Sequence, residues 1–259
     1  MENEEKKVKN IQSIHRALDI LEFLVDSGDG KKLSEITEHC GLNKTTAFHL
    51  IKTLEARNYI EQSPDSLKYK TGGKLFSMGL TAYKNINLNK IFQPYMEQLL
   101  NRFNETVSLY HYCRMSSGMK GLCISFMESD NPVHVSVSVG KQIPLARTAA
   151  GKLYLSALTE ERLAETLGQE EADPSSSPLP EPEILKNQLD RIRQDRYCIE
   201  RGEYEDGVVN IAVPVYKYSG RVMAAICISI PEQRASDELL NDMCRAMLPI
   251  SEELSSLSL

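Results

Sequence analysis

LSEITEHCGLNKTTAFHLIKTL, residues 33–54, is the stretch whose reading decides the fold. Ser34 stands where it caps a short helix through Glu35, Ile36 and Glu38, whose acids suit the positive end of the helix dipole. Gly41 supplies the left-handed residue that ends that helix, and Asn43 caps the next one. Along the second helix Ala47, Leu50, Ile51 and Leu54 fall on one stripe, whereas Thr45, His49, Lys52 and Thr53 fall on another that is polar throughout. The first stripe is built to pack. The second has no use inside a core and is free to meet a partner.

On the N-terminal side Ile11, Ile14, Leu18, Leu21 and Val25 recur at helical steps, with Gly28 as a stop. On the C-terminal side Tyr59-Ile60-Glu61 and Leu67-Lys68-Tyr69-Lys70 alternate around Ser63-Pro64-Asp65-Ser66, the pattern of a two-stranded hairpin. Three short helices, a glycine in the turn between the second and third, and a basic hairpin directly after them predict a winged helix-turn-helix. In that fold the first turns of the third helix reach base edges, which assigns Thr45, Thr46 and His49 to sequence reading. Lys44, Lys52, Lys68 and Lys70 are placed for phosphates, and Asn43 and Thr53 complete the expected DNA face.

The charge distribution agrees with this, although the net charge of −6 at first argues against nucleic acid. Residues 1–74 carry 12 basic and 12 acidic side chains, so the whole deficit lies beyond them. Within residues 43–74 the balance is 6 basic (Lys44, Lys52, Arg57, Lys68, Lys70, Lys74) to 3 acidic. A cationic segment flanked by anionic ones meets phosphate locally and limits non-specific binding elsewhere.

A chain of 259 residues with 41% apolar content has room for two modest cores. The expected division is a DNA-binding domain at 1–74, a linker helix at 75–90, and a second domain at 91–259. In the second domain Ile91, Tyr95, Leu99 and Phe103 predict a helix. Residues 107–112 and 122–126 predict strands, as does the alternation of Val133, Val135, Val137 and Val139 with polar residues. Helices are expected at 149–158, 160–167 and 182–195, a surface loop at 170–182, and strands at 208–216 and 222–230 around a Ser219-Gly220 turn. A last helix runs from about 235. The fold class is α+β.

No apolar run approaches the about 18 to 20 residues that span a bilayer, and MENEEKKVKN lacks the apolar core of a signal peptide, so a cytoplasmic protein with no membrane partner is expected. Cys40, Cys113, Cys123, Cys198, Cys227 and Cys244 are scattered, with no C-x-x-C pair and no histidine cluster, which argues against a disulfide framework or a metal site. Ala150-Gly151-Lys152 resembles the end of a phosphate-binding loop, but Ala146 takes the first glycine position and Leu153 that of the magnesium-binding hydroxyl. No G-x-S-x-G or H-E-x-x-H is present, leaving His111, Cys113 and His134 as the best catalytic cluster, a weak one. Neither an enzyme nor a cofactor is expected.

Several stretches, in order, resemble the isocitrate-lyase-regulator (IclR) family of transcription factors. They are Ile11 to Leu21, Leu33 to Thr46, Pro144-Leu145 with Thr148 to Lys152, Glu203 with Gly207-Val208 and Ile211 to Val215, and Gly220 with Ala224 to Ser229. The resemblance covers nearly the whole chain. It implies a winged-helix domain, a linker helix, and an effector domain with a curved antiparallel sheet flanked by helices, similar to GAF-type ligand modules. It also implies dimers or tetramers on a two-fold operator, and effectors that are small organic or aromatic acids. Positions that often hold an acidic residue, a cysteine and a serine in similar effector sites are here Glu200, Asn210 and Cys227, so the place of the pocket transfers while the ligand does not. Spacing supports part of that pocket independently: Val208 and Asn210 share one strand face, as do Cys227 and Ser229, and the Ser219-Gly220 turn brings the two strands together. The pocket is expected between these residues, Glu200, and the helix start at Ala149-Ala150, with Arg147 as a helper for a carboxylate.

Overall fold

The computed structural model describes residues 11–27, 30–85, 88–115, 117–173, 178–217 and 219–257. They form two units that divide between Asn87 and Leu88. The first contains α1 (Gln12–Asp26), α2 (Leu33–His39), α3 (Lys44–Ala56), the hairpin β1 (Ile60–Gln62) and β2 (Tyr69–Thr71), and α4 (Gly73–Asn85). Ile20 and Leu24 of α1, Ile36 of α2, Ile51 of α3 and Ile60 and Tyr69 of the hairpin close over one another as its core. Gly28, read as the stop of α1, lies outside the described residues, as do residues 86 and 87 of the expected linker.

Local chemistry accounts for the helix-turn-helix. Gly41 adopts φ +61° between α2 and α3, a conformation that costs a side-chain-bearing residue energy. The Asn43 side chain then accepts the Thr46 N–H at 2.8 Å and starts α3. The start of α2 differs from expectation: Lys32 is the capping position and Ser34 lies inside the helix, because Glu35 reaches back to accept the Lys32 N–H at 2.8 Å. In the hairpin Ile60 pairs with Thr71 and Gln62 with Tyr69. Leu67, read as a strand residue, instead turns the chain at φ +55°, and Gln62 donates to its carbonyl.

The second unit is α+β. A curved antiparallel sheet has the order β5-β4-β3-β8-β7-β6, from β3 (Thr106–Met115), β4 (Gly118–Met127), β5 (Gln142–Ile143), β6 (Cys198–Arg201), β7 (Val208–Tyr216) and β8 (Val222–Pro231). Every residue of the central strand β8 is buried, so both faces of the sheet are covered. On one face Ala212, Ala225 and Cys227 pack with residues of α6 (Ala149–Ser156) and α8 (Pro182–Asp195). α7 (Glu160–Glu171) lies against β4, while α5 (Leu88–Phe103) and α9 (Asp237–Ser256) pack together and cover β3, β4 and β7.

Four readings of this unit are corrected. In α5 the buried stripe is Leu88, Phe92, Met96 and Leu99, one step round from Ile91, Tyr95 and Phe103, because Tyr95 turns its hydroxyl out to Glu253 of α9. Val133 to Val139 make no strand. Val133 and Val139 are exposed while Val137 is buried, and the segment is pinned by side chains: Arg234 takes the Val133 carbonyl and Glu128 binds both His134 and Ser136. Glu170 is not in a surface loop but on the last turn of α7, buried, where its carboxylate accepts the N–H groups of Leu145 and Ala146 at 3.0 and 3.1 Å. Finally, β6 was not expected at all.

Gly151 of α6 lies against the Leu145 backbone in the bend that leads into that helix, and a Cβ there would lie 2.3 Å from the Leu145 Cα and carbonyl oxygen. Backbone on both sides leaves nothing to move aside cheaply. Gly151→Ala is therefore expected to destabilise the protein by about 3 kcal/mol in urea unfolding. A loss under about 0.5 kcal/mol would show that α6 is free to slide away from Leu145.

Candidate functional site

Each unit presents one candidate site. In the first, Lys44, Thr45, His49, Lys52 and Thr53 of α3 are exposed, and Thr46 is half-buried. At about 100° per residue Thr45, His49 and Lys52 share the outward face, opposite buried Ala47 and Ile51. The other expected residues are partly committed to the fold. Asn43 spends its side-chain oxygen on the cap, and the Thr53 hydroxyl donates to the His49 carbonyl at 2.8 Å. Lys52 pairs with Glu55 at 2.6 Å and Lys70 with Glu61 at 2.9 Å, both surface pairs of little net strength in water. Phe48, absent from the expected face, is exposed beside it.

In the second unit strand register does the assembly. Asn210 on β7 lies directly opposite Ser229 on β8, and opposite Glu200 on β6 on its other side. The Ser229 hydroxyl donates to Asn210 Oδ1 at 2.6 Å, and Asn210 Nδ2 donates to Glu200 Oε2 at 2.8 Å. The Cys227 thiol approaches Asn210 Oδ1 at 3.9 Å. Glu200, buried, uses Oε1 to accept the N–H groups of Glu203 and Tyr204 in the loop after β6. Burial raises the Glu200 carboxyl above its ordinary value, against the opposing pull of these donors and of the Lys152 charge. Burial also pushes the Cys227 thiol up to about 12, so it is a protonated, inert group at neutral pH.

A cavity of about 30 Å³ opens beside this cluster, large enough for a water or two. Of the expected residues, Ala150, Asn210, Cys227 and Ser229 line it. Ala149, Val208 and Glu200 do not. Ala149 is buried in the core, Val208 pairs with Pro231 at the sheet end, and Glu200 turns its oxygens to Asn210 and the loop. Arg147, expected to help bind a carboxylate, donates to the Glu203 carbonyl at 3.2 Å instead. The cation on the cavity wall is Lys141, which pairs with Glu205 at 2.8 Å and sits 5.6 Å from the centre of the Tyr204 ring. Tyr110, Thr148, Val135 and Val137 also line the space. The sequence marked Tyr110 as a strand residue, Thr148 as part of the family resemblance and Val135 and Val137 by their alternation, but none of them as a cavity wall, because they arrive from distant parts of the chain.

The loop carrying Tyr204 and Glu205 is fixed from below. Buried Lys152 reaches Glu203 Oε2 at 2.6 Å, and Gln188 Nε2 donates to Glu203 Oε1 at 2.9 Å. The lysine of the Ala150-Gly151-Lys152 stretch thus holds a loop and not a phosphate. The weak catalytic cluster does not converge either. His111 Nδ1 bonds the Met223 carbonyl, whereas His134 sits in the 128–137 segment with Glu128. Among the described residues no group of His, Cys, Asp and Glu is arranged to hold a metal ion, and no helix is long and apolar enough to cross a membrane.

A helix-turn-helix followed by a hairpin, in one chain with a helix-flanked antiparallel sheet that holds a polar cavity, defines a two-part bacterial transcriptional regulator. The comparisons give its family. Residues 13–64 match the IclR helix-turn-helix domain and residues 80–256 the C-terminal domain of bacterial IclR transcriptional regulators, so the chain belongs to the IclR family. It is 31% identical over 233 residues to the HTH-type transcriptional regulator XynR of Escherichia coli K12, covering 89% of this chain and 91% of that one. It is 29% identical to the HTH-type transcriptional repressor AllR of Salmonella typhi, covering 89% and 84%. Two crystal structures share the fold. The IclR regulator of Alicyclobacillus acidocaldarius has a TM-score of 0.78 at 23% identity, over 96% of this chain and 99% of that one. The IclR homologue of Microbacterium hydrocarbonoxydans in complex with 4-hydroxybenzoate has a TM-score of 0.76 at 21% identity, over 95% and 100%.

The raised Glu200 carboxyl makes stability depend on pH with a definite sign. The folded chain keeps this proton over a window where the unfolded chain has lost it, so the contribution favours folding below the ordinary carboxylate value of about 4.3 and is lost as pH rises towards the folded value. Glu200→Gln cannot ionise. Urea unfolding of both proteins at about pH 4.5, 5.5 and 7 should show the stability of the variant rising relative to that of the native chain as pH increases. A difference constant across that range would show that Glu200 titrates as an ordinary carboxyl.

Proposed function

We propose that this regulator binds a two-fold operator through α3 and the hairpin, and that a small organic or aromatic acid bound in the second unit modulates that binding. On the DNA side Thr45, Thr46 and His49 read base edges, while Lys44, Lys52, Lys68 and Lys70 contact phosphate and Asn43 and Thr53 set the helix in place. The observation that carries this half is the outward alignment of Thr45, His49 and Lys52 on a capped helix, beside a hairpin that carries Lys68 and Lys70.

One recognition helix covers too few base pairs to select a genomic site, so the protein acts as a dimer or tetramer. Ile11, Ile14, Leu18 and Val25 recur on one exposed face of the α1 region, and Phe76 and Leu80 on α4 are exposed as well. These are the surfaces proposed for a second copy. The proposed domain limits are 1–74 for DNA binding, 75–90 for the linker and 91–259 for effector binding and assembly.

On the effector side the cavity wall combines the Asn210 amide, the Ser229 hydroxyl and the Lys141 ammonium with apolar Val135 and Val137, chemistry suited to a small acid with a polar tail. Because the space as it stands holds only a water or two, such a ligand enters only as the lining moves outward. Glu200, Ala149 and Val208 support that wall from behind. The bound 4-hydroxybenzoate of the Microbacterium homologue is of this chemical class. The site is a sensor and not a catalyst: the Cys227 thiol is pushed up to about 12 and Cys123 to about 11 by burial, so neither is a nucleophile near neutrality. The protein is proposed to work in the cytoplasm without a cofactor.

Selection of bound fragments from random DNA with the purified protein should enrich a two-fold sequence, in a complex that light scattering finds to contain two or more chains. On that sequence His49→Ala should lose about 1 to 3 kcal/mol of discrimination, while Lys68→Ala should weaken all sequences alike and lower the salt slope by about 1. Equal losses by both variants on selected and random DNA would remove the division between base and phosphate contacts.

For the effector half, 4-hydroxybenzoate and a panel of small carboxylates are screened by thermal shift. A ligand at about 100 times its Kd should raise Tm by roughly 5 to 10 °C. Asn210→Leu and Ser229→Val should abolish that rise. A compound that stabilises all three proteins equally binds elsewhere, and the pocket assignment fails.

A further inference from the structure

Phe48 is the one large apolar side chain on α3 with no place in the fold described above. It is 41% exposed. Leu50 and Leu54 of the same helix pack on the core of the first unit, as do Leu21, Phe23 and Leu33, but Phe48 does not. Counted round the helix at 3.6 residues per turn, it lies about 60° from Thr45 and about 40° from Lys52, on the flank of the outward face. Its ring is held there by that face: the Lys52 ammonium stands 5.7 Å from the ring centre, and the His49 ring 6.1 Å away at 69°, edge to face. A phenyl ring is thus fixed in the first turns of a polar surface by two side chains that are themselves exposed.

Single exposed apolar residues are common on protein surfaces, so exposure alone carries nothing. Position decides. Hydrogen-bonding edges fill the floor of the major groove, and the apolar group that a duplex presents there is the C5-methyl of thymine. Thr45 and His49 suit the polar edges, and the ring beside them suits the methyl.

We propose that Phe48 packs on a thymine methyl in each half-site, and so adds an apolar contact to the specificity of α3. This rests on the reading of α3 as the recognition helix, and it adds a residue and a base feature that the polar stripe does not contain.

Deoxyuridine differs from thymidine only in lacking the methyl, which isolates the contact. The full-length protein is used to select a duplex from random DNA, and each thymine of that duplex is then replaced singly by deoxyuridine. For the native chain, one thymine in each half-site should show about a fourfold loss of affinity on replacement, the value of one buried methyl at ~0.8 kcal/mol. Replacing both should cost about 15-fold. Phe48→Ala should bind the thymidine and deoxyuridine forms of those positions within about 1.5-fold of each other, while Phe48→Leu keeps part of the effect. Thr45→Ala, which removes a polar contact and leaves both supports of the ring in place, should retain the full methyl sensitivity. Thermal unfolding close to that of the native chain is expected for both Phe48 variants, and Phe48→Leu serves as the reading if Phe48→Ala does not fold.

Undiminished methyl sensitivity in Phe48→Ala, or no sensitive thymine at all, overturns the proposal while leaving the recognition helix intact. A drop in the number of chains in Phe48→Ala would place the ring in a protein contact and overturns it as well. If the native chain enriches no sequence, the recognition-helix reading fails first and takes this contact with it.

Discussion

The buried carboxylate of Glu200 is the constraint on which the second unit's site depends. An unpaired carboxylate in a dry core costs several kcal/mol, so the chain must bring donors to it. It does so with the Asn210 amide from the neighbouring strand and with two backbone N–H groups of the loop after β6. Those three bonds set the Asn210 rotamer, which in turn offers Oδ1 to Ser229 and Cys227. They also fix the loop, so that Glu203 meets Lys152 and Gln188 beneath it and Tyr204 and Glu205 line the cavity above. Removing the acid would leave the Asn210 amide and the two loop N–H groups without their acceptor.

How much of this was legible in the sequence follows from how local each feature is. The helix-turn-helix was readable because its signals act within a few residues: Gly41 turns, Asn43 caps Thr46 three residues on, and Ala47 and Ile51 lie one turn apart. The Asn210 and Ser229 pairing was readable for the same reason, since a short turn joins their strands and fixes the register. The α5 stripe was misplaced by one residue because Ile91, Tyr95 and Phe103 are as apolar as Phe92 and Met96, and only the partner helix α9 decides between them. Val133 to Val139 carried the period of a strand without a ladder to join. Arg234, about 100 residues away, takes a carbonyl there, and no pattern within the segment announces that. The cavity wall was least legible. Tyr110, Lys141, Thr148 and Tyr204 meet through tertiary packing, and each looks ordinary in its own neighbourhood.

The charges tell a parallel story. A net +3 across residues 43–74 falls on α3, the hairpin and the start of α4. The structure shows that part of that charge is already paired, Lys52 with Glu55 and Lys70 with Glu61, in exposed contacts worth little in water. Such pairs keep lysines ordered without committing them. Phosphate, with its denser charge and the gain from counterion release, displaces a surface carboxylate at small cost. In the second unit the logic is reversed. Lys152 is buried and pairs with partly exposed Glu203, so loss of the acid would strand the ammonium.

That contrast bears on how a regulator of this build must behave. A sensor has to be stable with and without its ligand, because the change it reports is a shift between two populated states and not a rescue from unfolding. A cavity whose polar walls depended on a ligand for their hydrogen bonds would leave an unstable empty protein. Here Ser229, Asn210 and Glu200 satisfy one another, and Lys141 has Glu205. These mutual bonds spare the wall the penalty that unsatisfied polar groups would carry. A ligand entering this wall competes against bonds already made, and what it gains is only the difference between its own contacts and those it replaces. For the effector proposed at this wall, modest affinity and strong dependence on the placement of each polar group are the expected consequences, and both suit a regulator that must release its effector when the concentration falls.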